Sequence, residues 1–320
     1  MRTYDRRTFV RRSAVLAATA AAACALPPHV DASAPTPTGC KENRTCASES
    51  GRRPEVIAHR GGNGQWPGET MRAFREAAKL KVDVLEMDVY LSADGELMLM
   101  HDPEVEKTTE GEGYINRLHS GYLQGLNAGH KWSPDGECCP FKDKKVLSPE
   151  FADLKVPRLE EVFREFPDAR MVIEMKKADK SPAVALSELI DKHHMKDKVL
   201  VASFVGDFMN EFRGLERARG VATSYSLSLK DVVKILKRLH SGRKLSDDDQ
   251  SDPSVIEVPY QFVTEDVVRL SKKRNIKVHA WTVNDPDKMY LMWNRGVDGI
   301  ITDYPGPLLA LLGRAPTQQT

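Results

Sequence analysis

Short apolar runs alternate with amphipathic segments along the chain from Glu55 onward. Such runs, rich in β-branched and other apolar residues, predict β-strands. Most are followed by segments with helical character, such as residues 69–80, 181–194, 228–240 and 264–275. The predicted strands are EVIAHR (55–60), VDVLEMDVY (82–90), RMVIEMK (170–176), KVLVASF (198–204), GVATSYS (220–226), SVIEVPY (254–260), IKVHAWTV (276–283) and VDGIITD (297–303).

The regular alternation of strand and helix predicts an α/β fold. Eight strands in this order favour a closed (β/α)8 TIM barrel over an open doubly wound sheet. No Gly-x-Gly-x-x-Gly motif follows the first predicted strand, which argues against a dinucleotide-binding fold. Hydrophobic residues make up 41% of the 320 positions, which is compatible with one large core.

One connection is much longer than the others and covers roughly residues 91–169. It begins with Asp94-Gly95, a pair that favours a tight two-residue hairpin turn. Because such a turn cannot make a parallel crossover, the returning segment LMLMHD is not expected to belong to the barrel. The remainder, about residues 103–157, is predicted to be a small insertion after strand two that caps the barrel.

The first 25 residues predict an export signal. Arg6, Arg7 and Phe9 precede an apolar run that is too short to span a bilayer. The paired arginines resemble the twin-arginine signal of bacteria, although an ordinary secretory signal rich in Arg is the alternative. Residues 26–53 predict a linker, and 54–314 the barrel domain. We therefore expect a secreted or cell-envelope protein that uses the twin-arginine export machinery, cleaved after Ala25 or, as a lipoprotein, before Cys24.

Four cysteines lie beyond this signal: Cys40, Cys46, Cys138 and Cys139. In an exported protein, disulfides are the first expectation. The Cα atoms of adjacent Cys138 and Cys139 are held about 3.8 Å apart, closer than a relaxed disulfide prefers, so we expect these two residues to pair elsewhere. Zinc binding is the alternative, but Cys-x-x-Cys spacing is absent.

The overall charge does not indicate a polyanionic partner. Lys and Arg total 47 against 46 Asp and Glu, which gives a formal net charge of +1. Such a balance provides no argument for nucleic-acid binding.

Polar residues cluster where the predicted strands end, which is where TIM-barrel active sites assemble. Each has an ordinary structural interpretation, such as a buried histidine or a simple ion pair between Glu174 and Lys176. Their joint occurrence at one end of one barrel favours a functional site instead. The residues are His59, Arg60, Glu86, Asp88, Glu174, Lys176, Trp281 and Asn284, with His101 at the end of the hairpin.

Glu86 and Asp88 are two residues apart in a predicted strand, so their side chains point to the same face. Two like charges in an apolar setting are costly unless a cation compensates them. Together with Glu174 they suit one divalent cation that prefers oxygen ligands, Mg²⁺ or Ca²⁺. Two histidines can supply the general base and acid that hydrolysis of a phosphodiester needs, with Arg60 and Lys176 beside the phosphate.

Several motifs, in order, resemble the glycerophosphodiester phosphodiesterase family: AHRGG, WPGETMRAF, LEMDVYLSADGELMLMHDP, VPRLEEVF, VIEMK, WTVN and GVDGIITDYP. The resemblance runs from about Val56 to Leu312 and implies a TIM barrel with a small insertion after strand two. By position it implies His59 and His101 as the acid–base pair, Glu86, Asp88 and Glu174 as metal ligands, Arg60 and Lys176 on the phosphate, and Trp281 lining the pocket.

The chain departs from the family pattern at Pro67-Gly68-Glu69-Thr70, where members usually have Pro-Glu-Asn-Thr. Glu69 therefore stands where Asn is usual. Two interpretations are open: Glu69 reaches the site and contributes to substrate binding, or it is an acid at the start of the following helix.

The leading hypothesis is an exported, metal-dependent hydrolase that cleaves small-molecule glycerophosphodiesters to glycerol phosphate and an alcohol. A phospholipase D or sphingomyelinase D-like lipase of the same barrel type is the alternative within the enzyme class. The segment from Lys107 to Lys145 is mostly polar, which does not favour an interfacial lipase. A non-catalytic envelope binding protein is the alternative from another class.

Overall fold

The computed structural model describes residues 52–226, 229–245 and 252–314. The strands are β1 (Glu55–Ala58), β2 (Val84–Leu91), β3 (Leu97–Leu99), β4 (Met171–Met175), β5 (Val199–Ala202), β6 (Ala222–Ser226), β7 (Val255–Pro259), β8 (Lys277–Trp281) and β9 (Gly299–Thr302). The α-helices are α1 (Met71–Lys79), α2 (Ser120–Leu123), α3 (Leu159–Glu165), α4 (Ala183–Lys192), α5 (Gly206–Gly214), α6 (Leu229–Ser241), α7 (Glu265–Lys273), α8 (Pro286–Arg295) and α9 (Pro305–Leu311). Short 3₁₀ segments lie at His59–Gly61, Val105–Lys107, Ile115–Arg117, Ala152–Leu154, Glu216–Ala218 and Tyr260–Phe262.

Eight parallel strands close into a barrel, which confirms the predicted (β/α)8 fold. Their order is β1-β9-β8-β7-β6-β5-β4-β2, and pairing between β1 and β2 closes the ring. Each predicted barrel strand corresponds to one of these eight, and helices connect them as the alternating pattern requires.

Side chains on each barrel strand point alternately inward and toward the helices. On β2, the residues Leu85, Met87 and Val89 pack in the apolar layer between sheet and helices. Glu86 and Asp88 lie on the other face, inside the barrel. Much of the remaining interior is filled by apolar side chains: Ile57, Val84, Val172, Leu200, Ala202, Val255 and Ile301.

The hairpin after β2 is present, but its turn is longer than the tight two-residue turn predicted from Asp94-Gly95. β3 pairs antiparallel with β2, and the Ser92 backbone N–H donates to the Glu96 carbonyl at 2.9 Å, so Ala93, Asp94 and Gly95 form a three-residue turn. The Asp94 carboxylate accepts hydrogen bonds from the Ser92 hydroxyl at 2.7 Å and from the Ser120 backbone N–H at 2.8 Å. The first bond is local to the turn, and the second ties the turn to the insertion.

The insertion between β3 and α3 packs on the barrel through apolar clusters of its own. One contains Val105, Ile115, Leu123 and Leu126, and another contains Phe141 and neighbours. The Trp132 indole N–H donates to the Asn63 carbonyl at 2.8 Å. The insertion is thereby anchored to the loop that follows β1.

Cys139 has a free thiol, so it is not bonded to its neighbour Cys138 and the expectation of disulfides does not hold for it. Cys40, Cys46, the predicted export signal and nearly all of the predicted linker lie outside the described residues, and the cysteine connectivity stays a prediction. Among the helices in the described ranges, none is long and apolar enough to cross a membrane.

Candidate active site

Three carboxylates meet inside the C-terminal end of the barrel. One oxygen from each of Glu86, Asp88 and Glu174 lies within 4.8 Å of the others. The register between β2 and β4 produces this meeting, because it makes Asp88 and Glu174 Cα partners. Glu86 joins them since it shares the inward face of β2 with Asp88.

Two neighbours of these acids adopt a left-handed backbone. Arg60 has φ of 52° and Glu69 has φ of 59°, a conformation that is uncommon for non-glycine residues. Arg60 donates its backbone N–H to Glu86 Oε2 at 2.8 Å, and Glu69 Oε1 accepts the Asp88 backbone N–H at 2.9 Å. The Glu69 N–H donates to the Arg60 carbonyl at 3.1 Å. Two left-handed residues that are bonded to each other thus each form a hydrogen bond with β2.

Glu69 is 6% exposed and turned toward β2 rather than toward the start of α1. Thr70 caps that helix instead, since its Oγ1 accepts the Ala73 N–H at 3.1 Å. The structure therefore puts the Glu69 carboxyl at the site, where the first of the two interpretations expects it. Its Oε2 atom is buried and has no hydrogen-bond partner among the described residues.

Burial controls the electrostatics of the acids. Burial and the charge of Asp88 raise the pKa of Glu86 well above its usual value. The same two causes raise the pKa of Glu174 to about 8, and burial with the Asp88 charge raises that of Glu69 well above its ordinary value. Burial also acts on Asp88, but Lys176 and Arg60 hold its pKa below the usual range. Asp88 is therefore the acid whose ionised form its neighbours favour.

Two cationic side chains flank the acids. Arg60 Nε lies 3.1 Å from Asp88 Oδ2. Lys176 Nζ lies 2.9 Å from Glu174 Oε1 and 3.5 Å from Asp88 Oδ1. The contact between Glu174 and Lys176 is thus part of a shared network and not an isolated ion pair.

His59 follows β1 directly, and its imidazole is held by an acid from the other end of the chain. Its Nδ1 lies 2.6 Å from Asp303 Oδ1, and its Nε2 lies 4.0 Å from Glu86 Oε2. Asn284 donates its side-chain N–H to Asp303 Oδ2 at 2.6 Å. The carboxylate favours a proton on Nδ1, and in the neutral ring Nε2 is then the acceptor that faces the acids.

Sequence reasoning missed Asp303 as a site residue. It is the last residue of the predicted strand 297–303, so the strand-end rule that selected the other residues could have found it. Its contact with His59 spans 244 positions, which only the closed barrel reveals.

His101 lies just beyond β3 and is brought to the acids by the hairpin. The backbone N–H of Met100 donates to the Asp88 carbonyl at 3.1 Å, and the charges of both His101 and His59 act on Asp88. Burial and the charge of Arg60 lower the pKa of His101. The hairpin thus supplies the second imidazole, although its catalytic role stays a prediction.

Trp281 ends β8, and its ring makes an edge contact with Phe204 at a centroid distance of 5.5 Å. Phe204 follows β5 and is 42% exposed. The structure therefore puts an aromatic pair at the C-terminal end of the barrel. The predicted role of Trp281 in lining the substrate pocket stays a prediction.

The donor set fits a divalent cation. Among the described residues, three closely spaced carboxylates lie beside the cationic groups Arg60 and Lys176, and the buried Oε2 of Glu69 has no hydrogen-bond partner there. Burial is the main cause of the raised pKa values of Glu86 and Glu174 and the charge of Asp88 is the second, so a bound cation would favour the ionised forms of both acids. Hard oxygen ligands of this kind suit Mg²⁺ or Ca²⁺.

Comparison with known proteins identifies relatives over most of the chain. Residues 59–307 match the model of the glycerophosphoryl diester phosphodiesterase family. A glycerophosphodiester phosphodiesterase of Bacillus subtilis is 28% identical over 268 residues, which cover 78% of this chain and 83% of that protein. One of Caldanaerobacter subterraneus is 29% identical over 265 residues, which cover 80% and 97%.

Solved structures of the same fold agree with the barrel. An Oleispira antarctica phosphodiesterase, in complex with the product sn-glycerol-3-phosphate, has a TM-score of 0.66 and 24% identity, covering 81% of this chain and 97% of its own. A glycerophosphodiester phosphodiesterase of Thermotoga maritima has a TM-score of 0.60 and 23% identity, covering 81% and 99%. Together, the matched residues and the shared barrel make this chain a member of the glycerophosphoryl diester phosphodiesterase family.

Proposed function

We propose that the protein is a metal-dependent hydrolase that cleaves glycerophosphodiesters to glycerol phosphate and an alcohol. The observation that carries the proposal is the convergence of Glu86, Asp88 and Glu174 within 4.8 Å, beside two imidazoles whose charges act on Asp88. The names of the relatives support the substrate class. The product held by the Oleispira antarctica neighbour supports the same reaction.

The three carboxylates would hold one Mg²⁺ or Ca²⁺, which when bound supplies positive charge for the phosphate oxygens in the transition state. Arg60 and Lys176 add hydrogen bonds and charge beside the same oxygens. Glu69 positions Asp88 through the backbone N–H and contributes to the substrate side of the site. Trp281 forms an apolar wall for the glycerol or alcohol portion.

Two histidines divide the proton transfers in this proposal. His59 is the base: Asp303 fixes the Nδ1 proton, so Nε2 is free to remove a proton from the attacking hydroxyl. His101 is the acid, and its lowered pKa makes the protonated ring a stronger donor to the departing alkoxide.

The test is release of glycerol phosphate from glycerophosphocholine by the metal-free chain, with and without added Mg²⁺ or Ca²⁺. We expect turnover only with a cation. Full turnover in excess chelator would contradict the metal centre, and no turnover with any divalent cation would contradict the activity. The same assay on lysophosphatidylcholine and on sphingomyelin vesicles tests the lipase alternative. That alternative predicts faster turnover of these lipids than of glycerophosphocholine.

We also propose export through the twin-arginine machinery, supported by Arg6, Arg7 and the apolar run that follows. The full chain expressed in a bacterium should be recovered outside the cytoplasm, and changing both arginines to lysine should retain it inside. Export that survives this change would favour the ordinary secretory signal.

A further inference from the structure

Glu257 is a carboxyl group inside the barrel that the proposed mechanism does not use. It lies on β7 with Val255 on the interior face, whereas Ile256 and Val258 pack against the helices. The residue is only 5% exposed. Because β7 lies four strands from β2 in either direction around the ring, Glu257 projects from the wall opposite Glu86 and Asp88.

Only one of the two carboxyl oxygens of Glu257 has a hydrogen-bond partner in the part of the chain that the structure describes. The Ser226 hydroxyl donates to Oε2 at 2.7 Å, but Oε1 is buried and unpartnered. Ser224 Oγ, on the same inward face of β6, is buried and unpartnered as well. Buried oxygens of this kind are costly unless a proton, water or cation satisfies them, so this side of the interior is suited to a cationic centre.

Glu257 also interacts electrostatically with the acids across the barrel. The charge of Asp88 acts on Glu257, and the charge of Glu257 acts on Glu174. Burial, opposed by the Ser226 hydrogen bond, raises the pKa of Glu257 to about 7. No Lys or Arg forms an ion pair with Glu257 among the described residues. A dication between the other acids would therefore be the charge that compensates it.

We propose that Glu257 is an outer carboxylate of the cation centre, which raises cation affinity from the opposite wall of the barrel without being one of the three ligands. This inference rests on the proposed function, since it needs a dication held by Glu86, Asp88 and Glu174. Groups that hydrogen-bond to metal ligands typically change metal affinity by about 10- to 100-fold. Glu257 acts on the ligands through its charge instead, so we expect an effect at the lower end of that range.

Glu257→Gln tests the proposal because it preserves size and removes the charge. Glu55→Gln is the matched control: it removes one acid at the other end of the barrel, where Glu55 pairs with Arg170 at 2.9 Å. Affinities of the full, metal-free chain for Mg²⁺ and for Ca²⁺ are measured by calorimetric titration at pH 8. We expect Glu257→Gln to bind about 10-fold more weakly because a nearby negative charge is lost, and Glu55→Gln to stay within about 2-fold because the screened charge is distant.

Unchanged affinity in Glu257→Gln, or an equal loss in both variants, would overturn the role of Glu257 while leaving the metal centre intact. No binding by the wild-type chain would overturn the metal centre and this proposal together. Should Glu257→Gln fail to fold, Ser226→Ala is the second variant. It removes the hydroxyl that holds Glu257 and should weaken cation binding by about 3-fold; unchanged binding would count against the proposal.

Discussion

The two ends of the barrel handle charge in different ways. At the N-terminal ends of the strands, acids are paired with arginines: Glu55 with Arg170 at 2.9 Å, and Asp83 with Arg314 through two contacts. At the C-terminal end, Arg60 and Lys176 both contact Asp88, Lys176 also contacts Glu174, and the charge of Arg60 acts on Glu69 and Glu86.

The N-terminal end of the barrel therefore contributes to stability, whereas the C-terminal end contains the candidate site. Paired charges at one end fix strand ends and need no further partner. Burial raises the pKa of Glu69, Glu86 and Glu174 at the other end, and left-handed Arg60 and Glu69 form hydrogen bonds with β2 there. Such an arrangement is costly in isolation and is relieved by a ligand, which agrees with the placement of TIM-barrel active sites.

The largest expected effect is at the C-terminal end. His59→Ala and His101→Ala should each lower kcat by about 10²- to 10⁴-fold, because each removes one proton-transfer group. The assay is glycerol phosphate release at saturating cation. His119→Ala is the control, since that side chain is 77% exposed in contact with the hairpin turn. A near-normal rate in either site variant would show that the replaced histidine has a structural role and not a catalytic one.

The next effect concerns stability and the interior His279. It is 3% exposed, and both ring nitrogens lack hydrogen-bond partners among the described residues. Burial lowers its pKa from 6.5 to about 4. The unfolded chain therefore binds the proton more readily, and its uptake should lower the free energy of unfolding by up to about 3 kcal/mol as pH falls from 6.5 to 4.

Denaturant unfolding at several pH values measures this contribution. His279→Leu should lose that part of the pH dependence, and the difference from wild type isolates it from the carboxylates. His119→Leu, at an exposed position, should keep the wild-type slope. Parallel curves for wild type and His279→Leu would contradict the expectation.

A smaller effect is expected where the chain positions His59. Asp303→Asn should reduce kcat by about 10- to 100-fold, because the carboxylate that orients the ring and fixes its proton is lost. The pH–rate profile should shift as well, which a merely structural change would not produce. Asp285→Asn, which preserves the helix cap at Lys288, is the control. A wild-type rate and pH–rate profile in Asp303→Asn would contradict the proposal that Asp303 orients His59 as the base.

The smallest effect is expected at the N-terminal end. Glu55→Gln should change the free energy of unfolding by about 0–1 kcal/mol, because partly exposed ion pairs contribute little. Its hydrolytic rate should match wild type. Thermal unfolding and the glycerol phosphate assay measure the two quantities. A marked loss of activity in Glu55→Gln would contradict the distinction between a stabilising N-terminal end and a functional C-terminal end of the barrel.

Much of the site was predictable because TIM-barrel strands deliver their last residues to one end. The period of two along β2 predicted that Glu86 and Asp88 share a face, and strand ends supplied His59 and Glu174. The turn after β2 was not predictable from Asp94-Gly95 alone, because Ser120 from the insertion binds the Asp94 carboxylate. The orientation of Glu69 was equally open, since a left-handed backbone is not a property of its residue type.

The sequence by itself determined the eight-strand alternation, the inward face of each strand and the residue types at the strand ends, because these follow from local periodicity. The tertiary structure alone decided which side chains meet. Barrel closure and the register between strands put Asp88 beside Glu174, Asp303 against His59 and Glu257 opposite the acids. These contacts join residues far apart along the chain, and local pattern contains no information about register between distant strands.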